Sequence, residues 1–178
     1  MSQIKVHDKS FGPFLSDQDI QQQVKKIADA INSDYAGLRP MFIAILNGSF
    51  MFASDLFKYL TIDAEICFIK LASYKGTKST GNVITSIGLD VDLHMRDVVI
   101  LEDIIDTGKT MNAFMPQLVH QQPKSMKICA LLHKPASMVY PVNIDYLGFT
   151  IPDHFVVGYG LDYDGLGRNL PAIYQVVS

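Results

Sequence analysis

The chain has 178 residues, enough for one domain with a substantial core, and 48% of them are hydrophobic against 19% charged, the balance of a folded protein. A net charge of −3 argues against a general nucleic-acid binder, which would carry a basic face, and leaves a small polyphosphate open as a ligand. No apolar run reaches the roughly 18 residues of a membrane span, Met1 to Ser10 carries no apolar signal segment, and the two cysteines, Cys67 and Cys129, sit in apolar segments as reduced thiols; together these favour the cytoplasm.

Residues 1–15 read as an arm of undefined structure, broken by Gly12 and Pro13. Ser16, with Asp17 and Asp19 behind it, is a helix start. Ile20, Val24, Ile27, Ala28 and Ile31 then recur at helical spacing to an end near Tyr35 and Gly37. The polar face from Gln21 to Lys26 reads as solvated. Met41 to Leu46 is a strand, and Asn47-Gly48-Ser49 turns into a helix marked by Phe52, Ala53, Leu56, Phe57 and Leu60. On pattern alone that turn is a plain connection, although its amides can meet an anion. Ala64 to Leu71 and Val83 to Ile87 are strands around a polar, glycine-punctuated segment, Ala72 to Asn82, with the composition of a hairpin tip or a lid.

After a charged connection, Asp90 to Arg96, comes the most informative stretch, V-V-I-L-E-D-I-I-D-T-G-K-T-M from Val98 to Met111. Val98 to Leu101 reads as a buried strand, with Glu102 and Asp103 following where it leaves the core. Asp106 to Thr110 is a polar turn into a helix whose apolar face is Met111, Phe114, Met115, Leu118 and Val119. Free amides and the positive end of the helix dipole favour a phosphate there. Gly108 admits close approach, and the Thr107 and Thr110 hydroxyls add donors. Two carboxylates beside a phosphate site fit sugar hydroxyls or a magnesium ion. Gly-Lys-Thr is not a P-loop, because G-x-x-x-x-G-K-[ST] requires glycine where Asp103 stands. Pro116 predicts a kink or a short first helical segment.

Met126 to Leu132 is the next strand, and Lys134 beyond it reads, taken alone, as an ordinary surface cation. A short strand from Asp145 to Thr150 precedes a glycine-rich run, Ile151 to Arg168, in which no register completes G-x-G-x-x-G. Phe155 can stack on a flat base. Ala172 to Val177 is a final strand. Strands alternate with helices over 40–132, which implies a mostly parallel sheet covered on both faces, with ligands at the carboxyl ends of its strands.

Leu101 to Met111 resembles the phosphoribosyl pyrophosphate motif of the type I phosphoribosyltransferases, and E-D-I-I-D-T-G-K-T resembles their hypoxanthine-guanine branch in particular. The resemblance covers most of residues 35–175 and is strongest at 98–111 and 151–163. It implies an α/β fold, a mostly parallel twisted sheet with helices on both faces plus a small hood, all in one domain of residues 1–178. The purine-binding hood would come from about 134–178 together with the N-terminal arm. It implies transfer of 5-phosphoribosyl from phosphoribosyl pyrophosphate to hypoxanthine, with guanine as a further base, giving IMP or GMP and pyrophosphate.

The same resemblance distributes roles. Glu102 and Asp103 would hold the ribose hydroxyls, directly or through Mg2+. Asp106, Thr107, Gly108, Lys109 and Thr110 would hold the 5′-phosphate, with Asp106 also the candidate general base at the purine N7. Asn47 and Gly48 occupy the turn that in the family is Leu-Lys-Gly with a cis peptide and binds pyrophosphate, so the family's lysine is replaced by Asn47 here. Ser73 and Tyr74 match the lid. Lys134 would donate to the 6-oxygen of the purine, Phe155 would stack on the base and the Val156 backbone would read its edge. Asp162 would hold a second magnesium ion beside the base site, and Arg168 would approach pyrophosphate. A homodimer or homotetramer is implied, with Phe50, Met51, Phe57 and Tyr59 as an interface. Two alternatives stand beside this one: a non-catalytic nucleotide-binding regulator on the same fold, and a phosphoribosyltransferase for another base, such as xanthine, adenine or a pyrimidine.

Overall fold

The computed structural model describes residues 2–73, 83–87 and 89–177, with backbone alone at 72, 73 and 83–87. The N-terminal arm is a hairpin, Ile4–Val6 (β1) pairing antiparallel with Lys9–Leu15 (β2). Gly12 and Pro13 therefore do not break it. The pairing register of β2 slips at this point and leaves Phe14 without an opposite residue, an irregularity of the kind that tolerates a proline lacking its N–H. Asp17–Asp34 (α1) starts at a capping box: Asp19 N–H donates to the Ser16 hydroxyl at 3.1 Å, and Ser16 N–H donates to the Asp19 carboxylate at 3.3 Å. All five apolar residues predicted to face inward are buried. The polar face is less solvated than expected, because Gln21 donates to Asp55 at 2.6 Å and Gln23 to the Leu147 carbonyl at 3.4 Å.

Then follow Met41–Leu46 (β3), Phe50–Tyr59 (α2), Glu65–Ser73 (β4), Val83–Ile87 (β5), Asp97–Ile105 (β6), Lys109–Val119 (α3), Ser125–His133 (β7), Tyr146–Thr150 (β8), Val156–Val157 (β9) and Ile173–Val176 (β10). Among the described residues β5-β4-β3-β6-β7-β8 form one sheet, parallel except for β5. Its period-2 alternation divides the core. Phe42, Ala44, Val99 and Leu101 pack under α1 and α2, while Ile43, Val98 and Ile100 pack under Met111, Phe114 and Leu118 of α3.

Several elements differ from expectation. β6 does not end at Leu101. It runs on to Ile105 because β7 extends alongside to His133, pairing Glu102 with Ala130 and Ile105 with His133. The two acids thus stand inside a central strand. α3 continues through Pro116 as one element, and Val119 is exposed at its end. Of the apolar residues on α2, Phe50 is exposed, whereas Phe57 turns inward, edge-on to Phe42 at 5.0 Å. Cys129 is buried and Cys67 half-buried, both as free thiols.

A second, antiparallel sheet, β1-β2-β10-β9, caps the strand ends as a hood. It encloses its own small core of Val6, Phe11, Val157, Ala172 and Tyr174. The buried Tyr159 ties it down, donating to Asp55 of α2 at 2.7 Å. Burial works to raise the Asp55 carboxyl, but hydrogen bonds from Lys58, Gln21 and Tyr159 outweigh it and hold the group below its ordinary value.

Candidate active site

Three segments meet at the carboxyl ends of β3 and β6. The Leu46-Asn47 peptide at the end of β3 is cis. Gly48 lies directly against Asp103, since a methyl group built on Gly48 would overlap the Asp103 carboxylate. Gly160 of the hood lies against Gly48 in turn, and a methyl group there would overlap the Gly48 carbonyl oxygen. Glycine at both positions lets the turn after β3, the acidic strand and the hood loop close on one another. Between them is a cavity of about 320 Å3 lined by Asn47, Gly48, Glu102, Asp103, Thr110 and Arg168 among others. Arg168 is held at its wall, donating to the Gly160 carbonyl at 2.7 Å and pairing with Asp162 at 2.7 Å.

The acidic pair is strongly perturbed. Glu102 is 7% exposed, and its Oε2 is buried with no hydrogen-bond partner. Burial, reinforced by Asp103, pushes its carboxyl well above the ordinary range. Burial also raises Asp103, to about 6, against backbone N–H donors and the Arg168 charge, which pull it down. The buried Glu102 carboxyl with its orphaned oxygen, next to the half-buried Asp103 on the same strand, offers the hard oxygen donors a divalent cation takes. Among the described residues no group of three His, Cys, Asp or Glu side chains converges.

The turn from Asp106 into α3, the candidate phosphate loop, lies beside this cavity and has its own, of about 260 Å3, lined by residues 102–111. Gly108 is the N-cap of α3 in the left-handed region, with φ of 76°. The loop is clamped from outside. Val139 and Tyr140 N–H both donate to the Thr107 carbonyl, at 3.0 and 2.9 Å, and the Tyr140 carbonyl packs so closely on Gly108 that no Cβ fits. Lys109 N–H donates to the Thr107 hydroxyl at 3.3 Å. Thr107, Lys109 and Thr110 are exposed, with the first amides of α3 behind them.

Lys134 is not a surface cation. It is 6% exposed, fixed by its backbone N–H donating to the Ile105 carbonyl at 2.9 Å. Its ammonium lies 3.6 Å from Asp106 and 3.5 Å from Asp153. A buried ammonium between two carboxylates keeps a third donor for a ligand. Phe155 is 44% exposed, and Val156 is buried in β9.

The structure thus brings Asn47, Gly48, Glu102, Asp103, Thr110 and Arg168 to one cavity, and Glu102, Asp103, Asp106, Thr107, Gly108, Lys109 and Thr110 to the next. Lys134 joins this group through Asp106, and Asp162 joins it through Arg168. Of the predicted lid, Ser73 is the last residue of β4, where only backbone is described, and Tyr74 lies outside the described residues. Sequence reasoning missed Asp153 and Gly160. Asp153 is an isolated acid in a turn, with no periodicity to aim it. Gly160 had only its place in a glycine-rich run.

Comparison with known proteins agrees with this geometry. Residues 14–164 match the phosphoribosyl transferase domain. The hypoxanthine phosphoribosyltransferase of Buchnera aphidicola is 40% identical over 92% of this chain and 94% of its own. The hypoxanthine-guanine phosphoribosyltransferase of Bacillus subtilis is 39% identical over 89% of each. A hypoxanthine-guanine-xanthine phosphoribosyltransferase of Tritrichomonas foetus is 39% identical over 87% of this chain and 85% of its own. Among solved structures, a hypoxanthine-guanine phosphoribosyltransferase of Bacillus anthracis superposes with a TM-score of 0.88 at 39% identity, covering 93% of this chain and 98% of that one. The hypoxanthine phosphoribosyltransferase of Staphylococcus aureus gives 0.88 at 39%, covering 93% and 91%. The fold, the acidic strand with its phosphate loop, and these relatives agree, and the chain belongs to the phosphoribosyltransferase family.

Proposed function

We propose that this chain is a purine-salvage enzyme that transfers 5-phosphoribosyl from phosphoribosyl pyrophosphate to a 6-oxopurine, hypoxanthine first and guanine as a further base, giving IMP or GMP and pyrophosphate. The observation that carries the reading is the buried Lys134 ammonium 3.6 Å from Asp106, at the edge of the phosphate loop. A donor-only group beside a candidate base favours a 6-oxo edge and finds no acceptor on a 6-amino one. The relatives named above are all named for hypoxanthine and most for guanine as well, while that of Tritrichomonas foetus adds xanthine.

In this reading the α3 amides and the Thr107 and Thr110 hydroxyls bind the 5′-phosphate, and the Asn47-Gly48 turn offers amides to pyrophosphate. Glu102 and Asp103 hold the ribose hydroxyls. Phe155 stacks on the base, Lys134 holds its 6-oxygen and the Val156 backbone meets its edge. As the C1′–oxygen bond to pyrophosphate breaks, the anomeric carbon becomes cationic, the purine N9 bonds to it, and the base gives up its N7 proton to an acceptor. Asp106 takes or stabilises that proton at N7. Arg168 faces the departing pyrophosphate. Glu102 and Asp103 would hold a magnesium ion and Asp162 a second one with pyrophosphate, and the metal would supply charge neutralisation of the leaving group.

A non-catalytic regulator on the same fold would bind the same sugar phosphate without turnover. Replacing Asp106 with Asn separates the two. Turnover falls by about 100-fold or more while phosphoribosyl pyrophosphate affinity is kept, as for loss of a general base. Unchanged turnover would remove Asp106 from the mechanism.

A further inference from the structure

Residues 7–11, at the tip and return of the N-terminal hairpin, lie outside the matched domain, which begins at residue 14. Nothing in the reaction above uses them. Yet they meet the hood turn that carries Tyr163 at several points. The Tyr163 hydroxyl donates to the Asp8 carboxylate at 2.7 Å. His7 Nε2 lies 3.2 Å from the Asp164 carbonyl, and its ring meets the Tyr163 ring edge-on at 5.6 Å. The Lys9 ammonium sits 5.7 Å from the centre of the same ring. Phe11, fully buried, lies 6.2 Å from both Phe155 and Tyr163, and those two rings meet edge-on at 5.6 Å.

These contacts converge on Phe155. Phe155 lies just before β9, a strand of only two residues, so little regular structure fixes its half-exposed ring. Phe155 packs against Phe11 and Tyr163, and Tyr163 is bonded to the arm through Asp8. Edge-to-face packing of this kind holds a ring while leaving part of its surface free for a ligand.

We propose that Asp8 of the N-terminal hairpin is a positioning residue that acts through Tyr163 to hold Phe155 in its stacking orientation. The inference rests on the reading of Phe155 as the base platform. A purely structural hairpin would instead lower stability and disturb both substrates alike. Asp8 shapes the affinity for the base and leaves the phosphoribosyl pyrophosphate site untouched.

The test is steady-state kinetics of wild type, Asp8→Ala, Asp8→Asn, Tyr163→Phe and the Asp8→Ala/Tyr163→Phe double variant, with hypoxanthine and phosphoribosyl pyrophosphate varied separately. Asp8→Ala and Tyr163→Phe each raise KM for hypoxanthine about 3- to 10-fold, in the range of one hydrogen bond. KM for phosphoribosyl pyrophosphate stays within about twofold, the double variant is no worse than either single one, and Asp8→Asn, which keeps an acceptor, recovers most of the loss. An unchanged base KM in Tyr163→Phe, equal rises in both KM values, or additive losses in the double variant would each overturn the proposal. Should Asp8→Ala fail to fold, Tyr163→Phe, which removes one oxygen atom, carries the test. Wild type is its own control: no turnover with any 6-oxopurine removes the base-site reading and this inference together, whereas normal wild-type turnover with silent variants removes this inference alone.

Discussion

Gly48 of the turn after β3 lies against the carboxylate of Asp103 in β6, with no room between them for a methyl group. The contact joins the turn assigned to pyrophosphate to the acid assigned to the ribose. Gly48→Ala must displace one of them. We expect a fall in kcat/KM of about 100-fold or more, with far-ultraviolet circular dichroism unchanged, since misplacing reacting groups by about 1 Å costs that much. Wild-type kinetics in Gly48→Ala would mean that the two segments move apart freely and that their contact has no part in the reaction.

The acidic pair predicts an inverted pH response. Burial raises Glu102 well above its ordinary value and Asp103 from 3.8 to about 6. The folded state therefore holds more protons than the unfolded chain between the ordinary and raised values. Stability falls as pH rises through that window, and Asp103 alone accounts for about 3 kcal/mol above it. In magnesium-free buffer, Glu102→Gln should melt several degrees above wild type at pH 7.5, with the gap closing toward pH 4.5, while turnover is lost. A variant that melts lower than wild type at pH 7.5 would show that the Glu102 charge is compensated in the folded protein.

In the proposed reading, Lys134 with its two carboxylates sets base choice. Removing the ammonium in Lys134→Ala should lower kcat/KM for hypoxanthine by about 100-fold, in the range of a lost charged hydrogen bond with its partners left unpaired. Asp153→Asn should have a smaller effect in the same direction, because the ammonium then leans on Asp106 alone, 3.6 Å away. Kinetics with hypoxanthine check both. Unchanged hypoxanthine use in Lys134→Ala would remove the lysine from base recognition.

The hood is fastened to the main sheet layer by Tyr159 and Asp55, 2.7 Å apart. Tyr159→Phe leaves a partly buried carboxylate short of one donor and should cost about 1–3 kcal/mol, read as a lower urea midpoint at constant slope. A midpoint within error of wild type would show that Gln21 and Lys58 satisfy Asp55 without it.

Much of this was legible in the sequence, and the reasons are local. Strand β3 and the buried face of α1 follow from hydrophobic period, and the start of α1 from Ser16 and its capping box. The phosphate loop was readable because acids, glycine and hydroxyls fall at a strand-to-helix turn. The strand carrying Glu102 and Asp103 was read as ending early, because its last residues are held by pairing with β7, a partner that no local pattern reveals. For the same reason Lys134 looked like a surface cation: its burial is created by Ile105 on one side and by the hood turn bearing Asp153 on the other. The hairpin before Ser16 was missed because β1 has only three residues and β2 takes its other partner, β10, from the far end of the chain.

The most direct test is pyrophosphate release from phosphoribosyl pyrophosphate and magnesium, with hypoxanthine, guanine, xanthine and adenine offered in turn. Turnover with hypoxanthine, alone or with guanine, and none with adenine is the predicted result. Silence with all four bases, in a protein that still binds phosphoribosyl pyrophosphate by calorimetry, would contradict the account and identify a binding protein or a pyrimidine enzyme on this fold.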